Sequence, residues 1–476
     1  MIIGRKKEQD ILDTCLNSGK AEFVAVYGRR RVGKTFLVRE YFGGVFSFYA
    51  TGVAGGKTRD QLKAFNQSLQ LAGCQERAVP RDWFEAFSRL RSLLERSDVS
   101  RDRASGRIVV FLDELSWLDT ARSDFRPALD FFWNGWASAR DDTMLVICGS
   151  ATSWMIKNII DDHGGFHNRV TRQIHLQPFT LAECEELYRA NGVVLSRQQV
   201  MESYMVFGGI PYYIDLIDRR SSLAQNIDQL CFERSGQLRH ELGRLFASLF
   251  KHPGKHEAIV RELAQRRGGA TRTELAAAPG IVDGQQLTRA LSELEQCGFV
   301  RRYREFTKGK NGARFQLIDP FTLFSLRFLE GDGVHSWTEY LNTPSYYAWR
   351  GGAFELVCLI HSAGIKEALR VGGVASEESS WRSKASEPGA QVDLVIDRAD
   401  GVINLCEMKF TDGEFAIDRA YDAALRNKVA AFAAETGTRK AIRLTMVTMS
   451  GLAHNAYWGT VQNELSADDL FEVKTV

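Results

Sequence analysis

The chain has 476 residues, which is too long for one hydrophobic core and predicts about three domains. Hydrophobic residues make up 44% and charged residues 25% of the sequence, and these fractions exclude a disordered or fibrous protein. Its 61 basic and 59 acidic side chains nearly balance, so the whole-chain charge excludes a general attraction to nucleic acid, and any such affinity has to be local.

Cysteine usage and the apolar runs indicate the compartment. Eight cysteines are scattered without a Cys-x-x-Cys pair, and several lie in apolar runs, so we expect reduced, buried thiols. The N-terminus becomes charged after two isoleucines, and no apolar run approaches about 18 residues. A cytoplasmic protein without a signal peptide or a membrane span is therefore expected.

A phosphate-binding loop is predicted near the start of the chain. An apolar run over residues 24–27 is followed by Gly28, four intervening residues and Gly33-Lys34-Thr35, and then by a helical pattern over residues 36–41. A strand, a glycine-bearing loop and a helix in this order form the setting that such a loop requires. We expect Lys34 to reach the β- and γ-phosphates of ATP and Thr35 to ligate Mg²⁺. The residues expected to contact the nucleotide are Gly28, Arg29, Arg30, Arg31, Val32, Gly33, Lys34 and Thr35.

Two carboxylates, Asp113 and Glu114, follow the apolar strand predicted over residues 108–112. At the carboxyl end of a strand, Asp113 can hold the water shell of Mg²⁺, and Glu114 is placed to polarise the attacking water. An additional strand over residues 45–50 separates the loop from these carboxylates, as in the NTPases that use a glutamate on a neighbouring strand. The alternative is that the pair only caps the helix that follows.

Two further nucleotide contacts are predicted downstream. Ser150 follows the buried strand predicted over residues 144–149, where its hydroxyl would sense the γ-phosphate; the alternative is a helix cap. Arg169 precedes the last strand of this region, residues 173–176. It would supply transition-state charge within the chain or across a subunit boundary, unless it is a solvated surface residue.

These motifs together resemble the archaeal-type ATPase family, which is related to AAA+ and STAND nucleotide switches. The resemblance is carried by the loop 28–35, Leu112-Asp113-Glu114, Cys148-Gly149-Ser150, the strand from Arg172 to Pro178-Phe179, and Phe207-Gly208-Gly209-Ile210-Pro211-Tyr212. It covers residues 1–235 and implies an AAA+-like P-loop NTPase core whose Gly-Gly-x-Pro element opens a helical lid. It does not place the family's lid arginine in this sequence.

Three helical patterns and a hairpin predict a winged helix-turn-helix after the lid. The helices span residues 256–267, 271–278 and 283–297, and the strands span 299–306 and 313–318. The cations of the hairpin are Arg301, Arg302, Arg304, Lys308, Lys310 and Arg314. Such a cluster can neutralise phosphates on a duplex. The third helix offers few side chains to base edges, so a protein-docking winged helix with a solvated hairpin is the alternative.

A hairpin in the last third of the chain is predicted to gather two carboxylates and a lysine. Residues 391–397 and 402–410 form strands joined by a tight turn, which places Asp393 beside Glu407 and Lys409 on one face. The carboxylates can hold Mg²⁺ or Mn²⁺ against a scissile phosphate. The lysine would then orient the attacking water or stabilise the developing charge.

This spacing resembles the PD-(D/E)xK phosphodiesterase superfamily. Asp393 and Glu407-x-Lys409 match its motif, although no proline precedes the aspartate, and Glu355 in a helix over residues 347–360 matches its helix acid. The resemblance implies a metal-dependent nuclease. A strand with a Glu–Lys pair, or a retained fold without activity, is the alternative. Further phosphate contacts are expected from Arg426 and Lys428.

The sequence thus predicts a multidomain α/β protein. Its parts are an AAA+-like P-loop ATPase core at 1–179, a helical lid at 180–250, a winged helix at 251–320, an aromatic bridging segment at 321–344 that packs between domains, and a PD-(D/E)xK nuclease-like α/β domain at 345–476. In this hypothesis, ATP binding and hydrolysis control a Mg²⁺-dependent DNA nuclease in DNA processing or defence against foreign DNA. The alternative is a STAND-like regulatory ATPase whose C-terminal domain binds DNA or protein without cleavage. The expected partners are ATP and DNA, with no membrane; the sequence leaves open whether the chain forms a homo-oligomer.

Overall fold

The computed structural model describes residues 1–162, 164–166, 168–306, 313–330, 336–383 and 389–472. The chain divides into two compact units, Met1–Gln177 and Pro178–Val476. The described strands of each unit form one sheet. Within the described ranges, no helix is both long and apolar enough to span a bilayer.

The first unit is a parallel sheet with helices. Its strands are β1 (Glu22–Tyr27), β2 (Phe48–Thr51), β3 (Ile108–Asp113), β4 (Thr143–Gly149) and β5 (Arg172–His175). They lie in the order β2-β3-β4-β1-β5, and each neighbouring pair is parallel. Strands β1, β3 and β4 are buried along their whole length, which explains why they stand out in the sequence as continuous apolar runs.

The helices of the first unit cover this sheet. They are α1 (Lys6–Leu16), α2 (Lys34–Tyr41), α3 (Thr58–Leu71), α4 (Trp83–Leu94), α5 (Leu115–Leu118), α6 (Phe125–Gly135) and α7 (Thr152–Met155), with a 3-10 turn at Ala137–Ala139 and a π-helical turn at Ile156–Ile160. Trp83 of α4 packs between Phe65 of α3 and Phe125 of α6, with ring centroids 5.4 and 4.8 Å away. These aromatic contacts belong to the main hydrophobic core of the unit.

The second unit begins with helices. They are α8 (Leu181–Ala190), α9 (Arg197–Phe207), α10 (Pro211–Ile214), α11 (Leu223–Ile227), α12 (Glu241–Leu249), α13 (Pro253–Ala264), α14 (Arg272–Ala276) and α15 (Gln285–Gln296), with a π-helical turn at Asp228–Phe232. Thr180 and Glu183 form a capping box at the start of α8, and Pro211 occupies the first turn of α10. The predicted Gly-Gly-x-Pro element therefore separates α9 from α10.

The rest of the second unit combines helices with a mixed sheet. Its helices are α16 (Pro320–Phe324), α17 (Trp337–Tyr340), α18 (Pro344–Ile360), α19 (Ser362–Ala368), α20 (Arg419–Thr436) and α21 (Ala467–Phe471), with a π-helical turn at Ser325–Leu329 and a 3-10 turn at Trp458–Thr460. Aromatic residues at 321–349 pack on one another: the ring of Trp337 lies 5.2 Å from that of Phe328 and 5.3 Å from that of Trp349. These rings pack on one another inside the second unit, and the expected packing between domains stays a prediction.

One sheet of eight strands runs through the second unit. The strands are β6 (Ala270–Thr271), β7 (Val300–Glu305), β8 (Ala313–Leu317), β9 (Ser376–Arg382), β10 (Gln391–Arg398), β11 (Val402–Lys409), β12 (Ala441–Thr448) and β13 (Asn463–Ser466). Their order is β13-β12-β11-β10-β9-β7-β8-β6. The pairing of β7 with β9, through Arg304 and Glu305, joins the hairpin of residues 251–320 to the sheet of residues 345–476. The predicted boundary between these two regions therefore does not separate two sheets.

Candidate functional site

The loop between β1 and α2 has the shape that a phosphate-binding loop requires. Strand β1 ends at Tyr27, and Gly28 follows with φ 145°. A Cβ atom at Gly28 would lie 2.3 Å from the carbonyl oxygen of Leu176, so a side chain cannot be accommodated without moving the backbone. Helix α2 begins at Lys34, which places backbone N–H groups of its first turn at the end of the loop.

Lys34 and the residues before it differ in exposure. Lys34 is 6% exposed, and its Nζ donates a hydrogen bond of 2.8 Å to the carbonyl oxygen of Arg29. Arg29 and Val32 are buried, whereas Arg30 is exposed. Of these loop residues, Arg30 therefore points to solvent, whereas Arg29, Val32 and Lys34 face the protein interior.

Thr35 and Asp113 meet across neighbouring elements. The hydroxyl of Thr35 donates to Oδ2 of Asp113 over 2.9 Å, and Asp113 is 4% exposed at the end of β3. Burial raises the pKa of Asp113, while the hydrogen bond from Thr35 lowers it. Hydroxyl and carboxylate oxygens are hard donors of the kind that Mg²⁺ takes in nucleotide sites.

Glu114 and Ser150 also meet. Glu114 has a left-handed backbone with φ 47°, immediately after β3. Its Oε2 accepts a hydrogen bond of 2.7 Å from the hydroxyl of Ser150, which follows β4. Because β4 lies between β1 and β3, the carboxyl ends of these three strands bring the loop, both carboxylates and Ser150 to one edge of the sheet.

Arg169 lies elsewhere. Strand β5 pairs with β1 in parallel, and Arg172 at its start is opposite Val24. Arg169 therefore lies at the edge where these strands begin, whereas the phosphate loop lies where β1 ends. It is exposed and acts on Asp130, whose pKa it lowers against the larger effect of burial. The prediction of a contact in the same chain is wrong in this geometry, and only the contact across a subunit boundary stays a prediction.

Sequence reasoning missed Arg5 as part of this site. Arg5 is 6% exposed, and its Nη2 donates to the carbonyl oxygen of Val32 over 3.2 Å. The side chain thus holds the middle of the loop from the N-terminal segment. A charged residue in a short segment before the first helix gave no signal of this long-range contact.

In the second unit, the predicted hairpin brings Asp393, Glu407 and Lys409 together. Strands β10 and β11 are antiparallel with Leu394 opposite Cys406, and continuing this register by one residue puts Asp393 opposite Glu407. Lys409 lies two residues further along β11 and so faces the same side. Its Nζ lies 5.4 Å from the ring centroid of Tyr421.

Glu355 of α18 belongs to the same group. Burial, followed by the charge of Asp393, raises the pKa of Glu355 to about 7, and Glu407 adds to this effect. Arg267 and Lys409 act in the opposite direction and lower it. A carboxyl group with such a pKa is half protonated near neutral pH, which is typical of an acidic cleft.

The Glu407 carboxylate of this group is paired with a lysine in this structure. Glu407 is 6% exposed, and its Oε1 lies 2.5 Å from Nζ of Lys428 on α20. Within the described part of the chain, no three His, Cys, Asp or Glu residues are grouped closely enough to hold a metal ion. Arg426 of the same helix pairs with Asp422 over 2.9 Å. The phosphate contacts expected of Arg426 and Lys428 stay a prediction.

The basic hairpin of residues 300–317 is only partly exposed. Arg302 and Arg304 face solvent. Arg301 acts on Asp393 and Glu355, and Arg314 forms ion pairs of 3.2 and 3.3 Å. The two predicted lysines, Lys308 and Lys310, lie outside the described residues.

The first part of the chain is similar to known ATPases. Residues 3–217 match a family described as an ATPase domain predominantly from Archaea. An uncharacterised protein of Methanocaldococcus jannaschii is 24% identical over 336 residues, which are 69% of each chain. An uncharacterised ATP-binding protein of the same organism is 44% identical over 41 residues, 9% of this chain and 70% of that protein. A solved Walker-type ATPase of Pyrococcus abyssi is similar, with 16% identity and a TM-score of 0.47, over 69% of this chain and 96% of that chain.

Proposed function

We propose that this protein, whose residues 3–217 form an ATPase domain of the family found predominantly in Archaea, hydrolyses ATP with Mg²⁺ and thereby controls a metal-dependent nuclease site in its second unit. One observation carries the ATPase part. The pairs Thr35–Asp113 and Ser150–Glu114, at 2.9 and 2.7 Å, meet beside the phosphate loop at the carboxyl ends of adjacent parallel strands.

Each of these residues has a role in the proposed hydrolysis. Lys34 and the N–H groups of the loop would bind the β- and γ-phosphates. Thr35 and Asp113 would hold Mg²⁺, which supplies positive charge to the phosphates when it is bound. Glu114 would accept the proton of the attacking water, and Ser150 holds the Glu114 carboxylate through its hydroxyl.

The nuclease part of the proposal rests on the cleft that contains Glu355, Asp393, Glu407 and Lys409. The strand register puts three of these side chains on one face of the sheet, and the fourth acts on them electrostatically. The carboxylates would hold Mg²⁺ or Mn²⁺, which supplies charge to a scissile phosphate when bound. Lys409 would orient the attacking water.

The proposed control would pass through contacts inside the second unit. The family match extends through α8, α9 and α10, the region predicted as the lid. Arg350 of α18 forms a bidentate ion pair with Asp412, at 2.6 and 3.0 Å, and Gln198 of α9 donates to the same carboxylate over 3.3 Å. Asp412 follows Lys409 by three residues, so α9 is connected to the strand that carries the proposed nuclease lysine.

ATP turnover by purified full-length protein tests the ATPase part. Lys34→Ala is expected to remove nucleotide binding, and Glu114→Gln to keep binding while lowering kcat by at least about 100-fold. Lys63→Ala is the matched control, because Lys63 is an exposed lysine of α3. Turnover that survives both site variants would contradict the ATPase proposal.

Cleavage of plasmid and linear DNA with Mg²⁺ or Mn²⁺, with and without ATP, tests the nuclease part. Asp393→Asn and Lys409→Ala are expected to abolish nicking, whereas Asp400→Asn, in the exposed turn of the same hairpin, is expected to retain it. Lys34→Ala is expected to leave metal-dependent nicking but to remove its response to ATP. Absence of nicking by the unmodified protein under all of these conditions would contradict nuclease activity.

The ion pair between Lys428 and Glu407 favours a second function. A cleft whose carboxylate is already paired can bind DNA or a protein without cutting, and the chain would then be a STAND-like regulatory ATPase. The two proposals predict different results in one experiment. ATP-dependent binding of DNA without nicking, at saturating Mn²⁺, supports the regulatory protein.

A further inference from the structure

A cavity of about 590 Å³ opens beside the acidic cleft of the second unit. Glu355 and Asp393 line one part of it, and guanidinium groups line another, including Arg267 and Arg382. Arg267 follows α13, in the region predicted as a winged helix, and Arg382 ends β9. The cavity is therefore built jointly by the two regions that share the eight-stranded sheet.

Unlike the guanidinium groups of neighbouring arginines, those of Arg267 and Arg382 form no ion pair with a described carboxylate. Among the described residues, no carboxylate oxygen lies within 4.0 Å of either group. Arg267 donates to the carbonyl oxygen of Ala348 over 3.0 Å, and Arg382 donates to Oε1 of Gln391 over 2.6 Å. Their positive charges therefore remain available to an anionic ligand.

Other arginines of the same cavity are already neutralised. Arg266 pairs with Glu262 at 2.6 Å, and Arg314 pairs with Glu305 at 3.2 Å. This contrast makes Arg266 a suitable internal comparison for Arg267, because the two are adjacent in the chain. Adjacent arginines with and without an ion pair allow the effect of the free charge to be separated from the effect of losing any arginine.

Gln391 links one of the free charges to the acidic cleft. It accepts from Arg382 and donates through Nε2 to Oδ1 of Asp393 over 2.5 Å. Arg382 is thus one side chain away from a proposed metal ligand. An anion held by Arg382 would lie beside the position where a phosphate meets the metal.

The segment that carries Arg267 is fixed before any ligand binds. The carbonyl oxygen of Arg267 accepts from Nε2 of Gln316 over 2.6 Å, and the next carbonyl, that of Gly268, accepts from the hydroxyl of Tyr303 over 2.6 Å. Both donors lie on the β7–β8 hairpin, which is part of the sheet. Because this segment is already held in place, less conformational entropy is lost when a ligand binds.

We propose that Arg267 and Arg382 bind the phosphodiester backbone of a nucleic acid and place it against Asp393 and Glu355. This inference rests on the proposed nuclease site for its biological meaning, but binding is measurable without cleavage. It moves the main nucleic-acid contact from the exposed hairpin arginines, Arg302 and Arg304, to the cavity. The ligand is recognised by phosphate charge, so DNA and RNA share the chemistry.

Fluorescence anisotropy of the full-length protein with labelled DNA and RNA oligonucleotides of one sequence, in EDTA, tests this site. Arg267→Ala and Arg382→Ala are each expected to weaken binding by about tenfold and to reduce the slope of log Kd against log salt by about one. Arg267→Lys is expected to keep most of that slope, and Arg266→Ala to resemble the unmodified protein. The DNA and RNA arms show which backbone is preferred, and inorganic phosphate as competitor tests for binding of free phosphate alone.

Three outcomes would overturn the proposal. The first is unchanged affinity in a variant that combines Arg267→Ala with Arg382→Ala. The second is an equal loss of affinity in Arg266→Ala. The third is a loss of affinity only in a variant that combines Arg302→Ala with Arg304→Ala. Thermal melting shows whether each variant is folded. If Arg267→Ala does not fold, Arg267→Lys still tests the proposal. Because EDTA prevents cleavage, a protein that binds through these arginines but never nicks DNA would support this inference and contradict the nuclease proposal.

Discussion

Lys428 of α20 places its Nζ 2.5 Å from Oε1 of Glu407, the carboxylate proposed to ligate a metal ion. The hydroxyl of Tyr421, on the same helix, lies 3.4 Å from the other oxygen. Glu407 is therefore paired on both oxygens while it is 6% exposed. A divalent cation has to compete with the ammonium group for this carboxylate.

Replacing Lys428 with methionine is expected to strengthen metal binding. The variant without metal should lose about 3 kcal/mol of unfolding free energy, because it leaves a buried carboxylate unpaired. Saturating Mn²⁺ should raise the melting temperature of the variant by more than it raises that of the unmodified protein. Differential scanning fluorimetry across a Mn²⁺ titration measures both effects.

Arg426→Met is the matched control for this change. Arg426 is also a cation of α20, but it is 67% exposed and pairs with Asp422. Its loss should change stability by less than about 1 kcal/mol and leave the Mn²⁺ response unchanged. A Lys428→Met protein whose melting temperature does not respond to Mn²⁺ would show that Glu407 is not a metal ligand.

The sequence predicted local features of both sites well, because they depend on periodicity and on short motifs. Strands β1, β3 and β4 are continuous apolar runs, and the turn at 399–401 sets the register that puts Asp393 opposite Glu407. These predictions use residues that are close in the chain. The loop, its lysine and the two hairpin strands needed no long-range information.

Long-range pairing could not be predicted in the same way. Strand β9 is the polar run Ser-Glu-Glu-Ser-Ser-Trp-Arg, which has no apolar alternation, and its parallel pairing with β7 joins two regions that the sequence divides. The pair of Lys428 and Glu407 spans 21 residues and depends on where α20 packs. A lysine on a helix gives no sign of its partner, so the sequence alone does not predict this ion pair.

Substitution of Gly28 by alanine should disrupt the phosphate loop. The new Cβ would lie 2.3 Å from a backbone oxygen, at φ 145°, so the chain has to move at Leu176 or at the loop. We expect the unfolding free energy to fall by about 3 kcal/mol or more and ATP binding to be lost. Urea denaturation and a nucleotide-binding assay measure the two effects.

Gly19 provides the comparison for Gly28. It also has a positive φ, 63°, but nothing lies within 4 Å of the position that its Cβ would take. Gly19→Ala should therefore cost only about 1 kcal/mol, the penalty of the left-handed backbone, and leave ATP binding intact. Equal effects of the two substitutions would contradict the close approach at Gly28.

Replacing Ser150 with alanine is expected to slow ATP hydrolysis without weakening ATP binding. The variant removes a hydrogen bond of 2.7 Å to Glu114, so the proposed general base loses its fixed position. We expect kcat to fall about tenfold, which corresponds to one hydrogen bond to a charged group. Single-turnover hydrolysis and equilibrium nucleotide binding separate the two quantities.

Ser92→Ala is the control for Ser150→Ala, because Ser92 is an exposed serine of α4 that bonds only to a carbonyl oxygen of its own helix. It should leave both rate and affinity unchanged. If Ser150→Ala instead weakens ATP binding and keeps kcat, Ser150 contacts the nucleotide rather than Glu114. If neither quantity changes, the serine is only a structural residue at the end of β4.

Acid should destabilise the second unit through His361, a buried histidine between α18 and α19. Burial lowers the pKa of His361 from 6.5 to about 4. Its Nε2 accepts from the N–H of Leu181 over 3.3 Å, and Nδ1 is 2.8 Å from the carbonyl oxygen of Val357, so the neutral ring fits the site. In the unfolded chain His361 binds a proton near pH 6.5, whereas in the folded chain it binds one only near pH 4. The contribution of His361 to stability is therefore fully present above pH 6.5 and is lost as the pH falls toward 4.

This linkage predicts that protonation of His361 lowers the free energy of unfolding by about 2 kcal/mol between pH 7.5 and pH 5. Glutamine does not titrate in this range. The free energy of unfolding of His361→Gln should therefore fall by about 2 kcal/mol less than that of the unmodified protein. His454→Gln, at a histidine that is 66% exposed, should keep the dependence of the unmodified protein. Chemical denaturation at both pH values measures the three slopes. A His361→Gln protein with the same pH dependence as the unmodified chain would show that the ring is not held neutral in the folded state.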